Sequence, residues 1–175
     1  MTNHPYAPCD IWNMDETNFF TVPTKIGKVI AFRGSRQVGQ IASQERGTSI
    51  TMALAVNAEG GSIPPFFLFR RKNMQSCFME DASRGAVGHA NESGWMQQPE
   101  FVKFMEHFIK RNKSSLESPT LLLLDYHSSH LSVEALEMAN NNGVTLLSFA
   151  PHCSHKLQLL DVSVYGPVNT YYNSQ

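Results

Sequence analysis

Apolar and polar positions along the 175-residue chain fall into two regimes. The first 72 residues read as β structure. DIWNMDETNFF (residues 10–20) mixes apolar and polar positions unevenly and closes on the pair Phe19–Phe20, which predicts a strand with Asp15 near its exit. KVIAFRG (28–34) predicts a short strand. TSITMALAVNAEGG (48–61) is rich in β-branched and apolar residues and ends in an Asn-Ala-Glu-Gly-Gly turn signal. IPPFFLFRRK predicts another strand, entered through two prolines that belong at its first positions. An antiparallel meander with tight turns follows from this order.

Residues 73–94 carry Gly85, Gly88 and Gly94 without a clear period and read as loop. The period then changes. Phe101, Phe104, Met105 and Phe108 recur at helical spacing after Pro99, with Lys110, Arg111 and Lys113 at the far end, which predicts a helix with an aromatic core stripe. LLLL (121–124) predicts a strand buried on both faces, with Asp125 at its end. SVEALEMANNNG predicts a helix capped by Ser132 and stopped at Asn142-Gly143. VTLLSFAP (144–151) predicts a strand, and LQLLDVSV one or two helical turns that Gly166-Pro167 would break. The sum is a mixed α/β sheet flanked by helices.

Composition changes this picture little. With 42% hydrophobic and 17% charged residues the chain supports one packed domain. No apolar run approaches a membrane span, and residues 1–10 contain no stretch suited to a signal peptide. Three widely spaced cysteines, Cys9, Cys77 and Cys153, imply no disulfide framework. Charge is more informative. Net charge is −1, yet Lys25, Lys28, Arg33, Arg36, Arg46, Arg70, Arg71 and Lys72 face only Glu45 and Glu59 within residues 25–72. Such a basic segment could face a polyanion, but on charge alone a set of solvated strand edges and loops is the preferred reading.

The acids carry the chemistry. Asp15 and Asp125 sit at the ends of predicted core strands, and Asp161 interrupts an apolar helical stretch. Strand ends are where open α/β sheets bind ligands. Asp15 and Glu16 should point to opposite faces, so only one of them is expected to share a site with Asp125. Three carboxylates in one crevice repel each other unless a cation neutralises them, and oxygen donors select hard ions such as Mg²⁺ or Mn²⁺. A cap, a salt bridge and a surface position would explain the same three acids equally well. A zinc site built from His152, Cys153 and His155 competes, but neither a CxxC pair nor a helical HExxH is present. A triad on Ser128 or Cys153 lacks the glycines of a nucleophile elbow.

Five blocks together carry a resemblance: NMDETNF, the segment from GSRQVGQ to FFLFRRK, SGWM, LLLLDYHSSHLS and FAPHCSHKLQLLDVSVYGPVN. From about Asp10 to the chain end they resemble the DDE endonuclease domain of the pogo/Tigger branch of mariner-like transposases, which includes the jerky proteins and centromere protein B. The resemblance implies an RNase H-like fold, a mixed five-stranded sheet flanked by helices. It implies 10–175 as the catalytic domain, with truncation at the C-terminus left open, while residues 1–9, with two prolines and no period, read as leader or linker. It implies two Mg²⁺ (or Mn²⁺) ions held by Asp15, Asp125 and Asp161 for DNA cleavage and strand transfer. His127, His130 and His155 are expected to orient that site. Arg33, Arg36, Arg46, Arg70, Arg71 and Lys72 are expected to contact the DNA backbone. DNA as partner, a homodimer and a nuclear location follow from the same resemblance. Two departures flank the expected metal site: Tyr126 where the family has Asn, and Leu159 where it has Pro. The family's helix-turn-helix recognition modules are not expected ahead of Asp10. The alternative reading is a catalytically silent, DNA-associated or protein-interaction module.

Overall fold

The computed structural model describes residues 6–21, 33–34, 47–130, 132–150, 153 and 157–174. Six strands form one sheet: β1 (Ile11–Phe20), β2 (Ser49–Asn57), β3 (Phe66–Arg70), β4 (Val87–Asn91), β5 (Thr120–Leu124) and β6 (Val144–Ser148), in the order β4-β3-β2-β1-β5-β6. β2 runs antiparallel to β1 and β3, while the β1–β5, β5–β6 and β3–β4 pairs are parallel. The C-terminal ends of β1, β3, β4, β5 and β6 therefore lie along one edge of the sheet.

The two neighbours of β1 cover it unequally. It pairs with β2 along nearly its whole length, from Trp12↔Asn57 to Phe20↔Ser49. With β5 it pairs only from Ile11↔Leu121 to Asn13↔Leu123. β5 stops at Leu124, and β1 continues past it with one flank open.

One face of the sheet is covered by α1 (Gln98–Asn112) and α2 (Val133–Asn141). The predicted stripe of α1 is the core: Phe101, Phe104, Met105 and Phe108 are fully buried against Trp12, Met14, Phe66, Leu122 and Leu124. Trp12 and Phe108 meet edge to face at 5.5 Å, a favoured aromatic geometry. Pro99 stands in the first turn of α1, and Lys113 closes the helix in the left-handed region (φ 60°). Ser132 caps α2 by accepting the Ala135 N–H. The other face carries a smaller cluster, in which Phe19 and Met52 meet Leu160 and Tyr165. Those last two belong to a π-helical turn (Leu160–Val164) and to α3 (Tyr165–Tyr172).

Three expectations are corrected. The described sheet has six strands, not five: β4 lies in the stretch read as loop. All five of its residues are half-buried, because it is an edge strand, and an edge strand covered equally on both sides writes no alternating pattern. Gly166-Pro167 does not break the last helical element but lies inside α3, since the missing proline N–H falls in a first turn where N–H groups lack helical partners anyway. Asp15 is interior to β1, five residues short of its end, and it nevertheless reaches an opening because β5 ends early. The strand expected at 28–34 lies outside the described residues, apart from an exposed turn at Arg33–Gly34.

Candidate active site

Beyond the end of β5, the open flank of β1 borders a cleft of about 320 Å³ lined by Asp15, Glu16, Asn18, Thr51, Trp95, Met96, Asp125 and His127. Asp15 and Asp125 both line it, each two residues beyond the last parallel pair, Asn13↔Leu123. Asp15 is 8% exposed, and its Oδ2 is buried without a hydrogen-bond partner. Burial pushes its carboxyl up to about 7; the Gln158 amide works against that rise, and the charge of Asp161 adds to it.

Glu16 faces the α1 side of the sheet and still shares the cleft, against the expectation that only one of the two acids could. The agent is His130. Its Nε2 lies 3.2 Å from Glu16 Oε1, and its Nδ1 lies 2.9 Å from Asp125 Oδ1 and 3.2 Å from the Asp125 carbonyl oxygen. Its side chain is 1% exposed, and its ring packs on Phe101 at 4.6 Å. With acceptors at both nitrogens, both must donate, so the ring is an imidazolium. Burial opposes that charge, but the bonds to Asp125 and Glu16 outweigh it and push the histidine up to about 10. The same bond, ahead of the opposing effect of burial, holds Asp125 below its ordinary value. One acid of the cleft is thus biased toward its ionised form and the other toward its protonated form. Unequal environments for paired carboxylates mark sites of chemistry more often than plain scaffold.

A hydrogen-bonded strap holds the chain end against β1. Asn13 donates to Gln158 Oε1 (2.9 Å), Gln158 donates to the Met14 carbonyl (3.1 Å), and the Leu160 N–H donates to Asn13 Oδ1 (3.3 Å). The Tyr165 hydroxyl donates to the Asp15 carbonyl at 2.6 Å. Asp161 rides on this strap. It is exposed and does not line the cleft, although it is near enough to raise Asp15. Among the described residues no three His, Cys, Asp or Glu side chains are close enough together to hold one metal ion.

His127 lines the cleft and bonds Ser129 Oγ through Nδ1 (2.7 Å). Arg70, Arg71 and Lys72 line a neighbouring cavity of about 460 Å³, while Arg33 lies on an exposed turn remote in sequence from either. Arg36, Arg46, His152 and His155 lie outside the described residues, and Cys153 is a free, half-buried thiol. Tyr126 is exposed, and Leu159 is half exposed. Glu16 was weighed only as the alternative to Asp15, and Gln158 and Trp95 were not singled out from the sequence. The last two lie within blocks that carry the resemblance, Gln158 in FAPHCSHKLQLLDVSVYGPVN and Trp95 in SGWM.

The architecture is matched by solved structures. The chain superimposes on the Mos1 strand transfer complex over 94% of its length and 41% of that chain, with a TM-score of 0.65 and 13% identity. It matches the Mos1 mariner paired end complex with Mn over 95% of its length and 43% of that chain, with a TM-score of 0.61 and 14% identity. The fold is RNase H-like, a mixed sheet flanked by helices. The family model for the DDE superfamily endonuclease matches residues 47–175. The chain belongs to that family, as a pogo/Tigger-type, mariner-like DDE domain. It is 26% identical over 120 residues to the human pogo transposable element with ZNF domain (69% of this chain, 8% of the relative). Against mouse Tigger transposable element-derived protein 4 the identity is 24% over 151 residues (85% and 27%). Against a Cochliobolus lunatus protein named MFS-type transporter clz9 it is 29% over 170 residues (95% and 18%). The chain thus spans about a quarter or less of the length of these relatives. Among the described residues no helix is long and apolar enough to cross a membrane.

Proposed function

We propose that this domain cleaves DNA phosphodiester bonds and joins strands with the help of divalent metal ions. The observation that carries the reading is that Asp15, midway along β1, and Asp125, just past the end of β5, line one cleft, with a buried Asp15 oxygen that has no hydrogen-bond partner among the described residues. A buried, unpartnered carboxylate oxygen costs stability unless a ligand or a proton answers it. An all-oxygen donor pair fits Mg²⁺ or Mn²⁺, so Asp15 and Asp125 are the residues that would hold the ions, two of them in this reading. Asp161 is the third acid of the proposal. It acts on Asp15 from the adjoining turn rather than from within the cleft.

Each residue has a distinct task. His130 fixes the Asp125 carboxylate and keeps it ionised. Glu16 holds the far nitrogen of His130, so that the ring cannot turn away. Tyr165 anchors the Asp15 backbone, and Gln158 holds the two residues before it, Asn13 and Met14. His127 lies at the cleft wall, within reach of a phosphate or a water. When bound, the ions would supply Lewis-acid neutralisation of the charge that builds on the phosphate oxygens. Arg70, Arg71 and Lys72, with Arg33, Arg36 and Arg46, are proposed to contact the DNA backbone. Action on DNA puts the site of work in the nucleus, and joining two ends calls for two protomers. The Mos1 neighbours, described as strand transfer and paired end complexes, support the joining of two ends.

The test is cleavage of plasmid DNA in Mg²⁺ or Mn²⁺ by the wild-type chain, beside Asp125→Asn. Cleavage by the wild type alone is expected. Equal nicking by both proteins, or none by either at any metal concentration, would remove the phosphodiester reading and leave the silent module.

A further inference from the structure

Trp95 is unusual for a tryptophan. The chain has two: Trp12 is core at 6% exposed, whereas Trp95 is 58% exposed and lines the same cleft as Asp15, Glu16 and Asp125. Tryptophan is enriched where interfaces form, because its ring pairs a large apolar face with a polar N–H. The loop beneath it is rigidly built. Asn91 accepts the Gly94 N–H (2.6 Å) and donates to the Trp95 carbonyl (2.9 Å), and Ser93 Oγ accepts the Trp95 N–H (3.1 Å). From β2, the Thr51 hydroxyl donates to the Gly94 carbonyl at 2.6 Å. Gly94 adopts φ +74°, and a Cβ there would lie 2.7 Å from Arg70 Cβ. The turn is therefore seated directly on the arginine that begins the Arg70-Arg71-Lys72 run.

We propose that Trp95 is a stacking platform for an unpaired nucleobase of the strand held in the acid cleft. The inference rests on the DNA reading above. An indole offers a flat π surface, and every base has a π face to lay on it, so such a contact is tolerant of sequence. The neighbouring basic run supplies the charge that a phosphate backbone needs alongside it. Fixed acids without cations repel a strand, so an aromatic contact and flanking lysine and arginine are the parts of this rim that attract one. A base can reach the indole only when it is out of the helical stack. The site therefore prefers a single strand, an overhang or a flipped nucleotide over an intact duplex.

The experiment compares binding of oligodeoxythymidine and of an abasic sugar-phosphate strand of equal length by the wild-type chain, Trp95→Ala and Trp95→Phe, each with its melting temperature recorded. Trp95→Ala is expected to weaken oligodeoxythymidine binding by roughly 5- to 150-fold, the range for losing one base–aromatic stack. Trp95→Phe should restore most of the loss, and the abasic strand should bind all three proteins alike. Quenching of the exposed tryptophan emission by oligodeoxythymidine, absent in Trp95→Phe, is the direct readout. If Trp95→Ala binds both strands as the wild type does, or loses both equally, the platform is wrong while the phosphodiester reading survives on the Asp125→Asn comparison. If the wild type binds neither strand and cleaves nothing, both fall together.

Discussion

Oδ2 of Asp15 is one of the buried polar atoms at which this domain gives up stability. It is buried and has no partner, and burial lifts the carboxyl to about 7. A group whose folded pKa is raised binds its proton more tightly in the fold than in the unfolded chain. Stability is then complete below the ordinary carboxylate value and is lost as pH rises through about 7. Asp15→Asn removes the titration, so in EDTA it should melt with the wild type near pH 4 and above it near pH 8. The gain should be about 1–3 kcal/mol, the scale of one unsatisfied buried polar group. Added Mn²⁺ should raise the melting point of the wild type and leave Asp15→Asn unmoved. A melting point for Asp15→Asn below the wild type at pH 8 would show that the carboxylate is satisfied after all. Asp15 and Asp125 were legible in the chain because an acid against an apolar run needs a reason. Glu16 and His130 were less so, because what joins them is an early strand end, and no local pattern writes where a neighbouring strand stops.

Elements show the same division between local and tertiary information. The α1 stripe, the Leu121–Leu124 strand and the Ser132 cap could be read directly, since each is a property of successive residues. β4 could not: VGHAN has no apolar period, and its second residue is Gly88, where a Cβ would fall 2.4 Å from the Met74 side chain. The strand exists because β3 offers it a parallel partner from Phe66↔Val87 to Arg70↔Asn91. Gly143 was legible as a helix stop, but not its second duty. It follows α2 at φ +70°, and a Cβ there would meet the Ser115 carbonyl oxygen at 2.1 Å. Its own carbonyl accepts the Thr120 N–H that opens β5. Gly143→Ala therefore combines left-handed strain, about 1–2 kcal/mol for a residue with a Cβ, with a backbone collision that no rotamer relieves. Thermal melting should fall by roughly 5 °C or more on the scale of a domain this size. A fall of less than a degree would mean that the α1–β5 loop moves freely out of the way.

At the scale of the whole molecule, the two faces of the sheet are held by different means. The α1–α2 face is a continuous apolar core, whereas the far face joins a small cluster to the polar strap from Asn13, Met14 and Asp15 to Gln158, Leu160 and Tyr165. The order of elements foretold the first face. The strap depends on a glutamine that reads as ordinary helix surface and is in fact 1% exposed. Because Asp161 sits three residues beyond Gln158, the strap also decides whether the third acid stands near the other two. Gln158→Ala leaves the Asn13 amide and the Met14 carbonyl short of a partner each, a cost of about 1–3 kcal/mol apiece. That cost should fall on local opening rather than on the core. Hydrogen exchange should quicken at the Leu160 amide and through α3, while amides of β5 and α1 keep their wild-type rates. If the strap positions Asp161, cleavage should fall in step with that local exchange, and divalent-ion stabilisation should weaken while the folded core persists. Uniformly faster exchange across the sheet would instead make the strap part of the global fold, and unchanged cleavage with an opened C-terminal segment would remove Asp161 from the catalytic set.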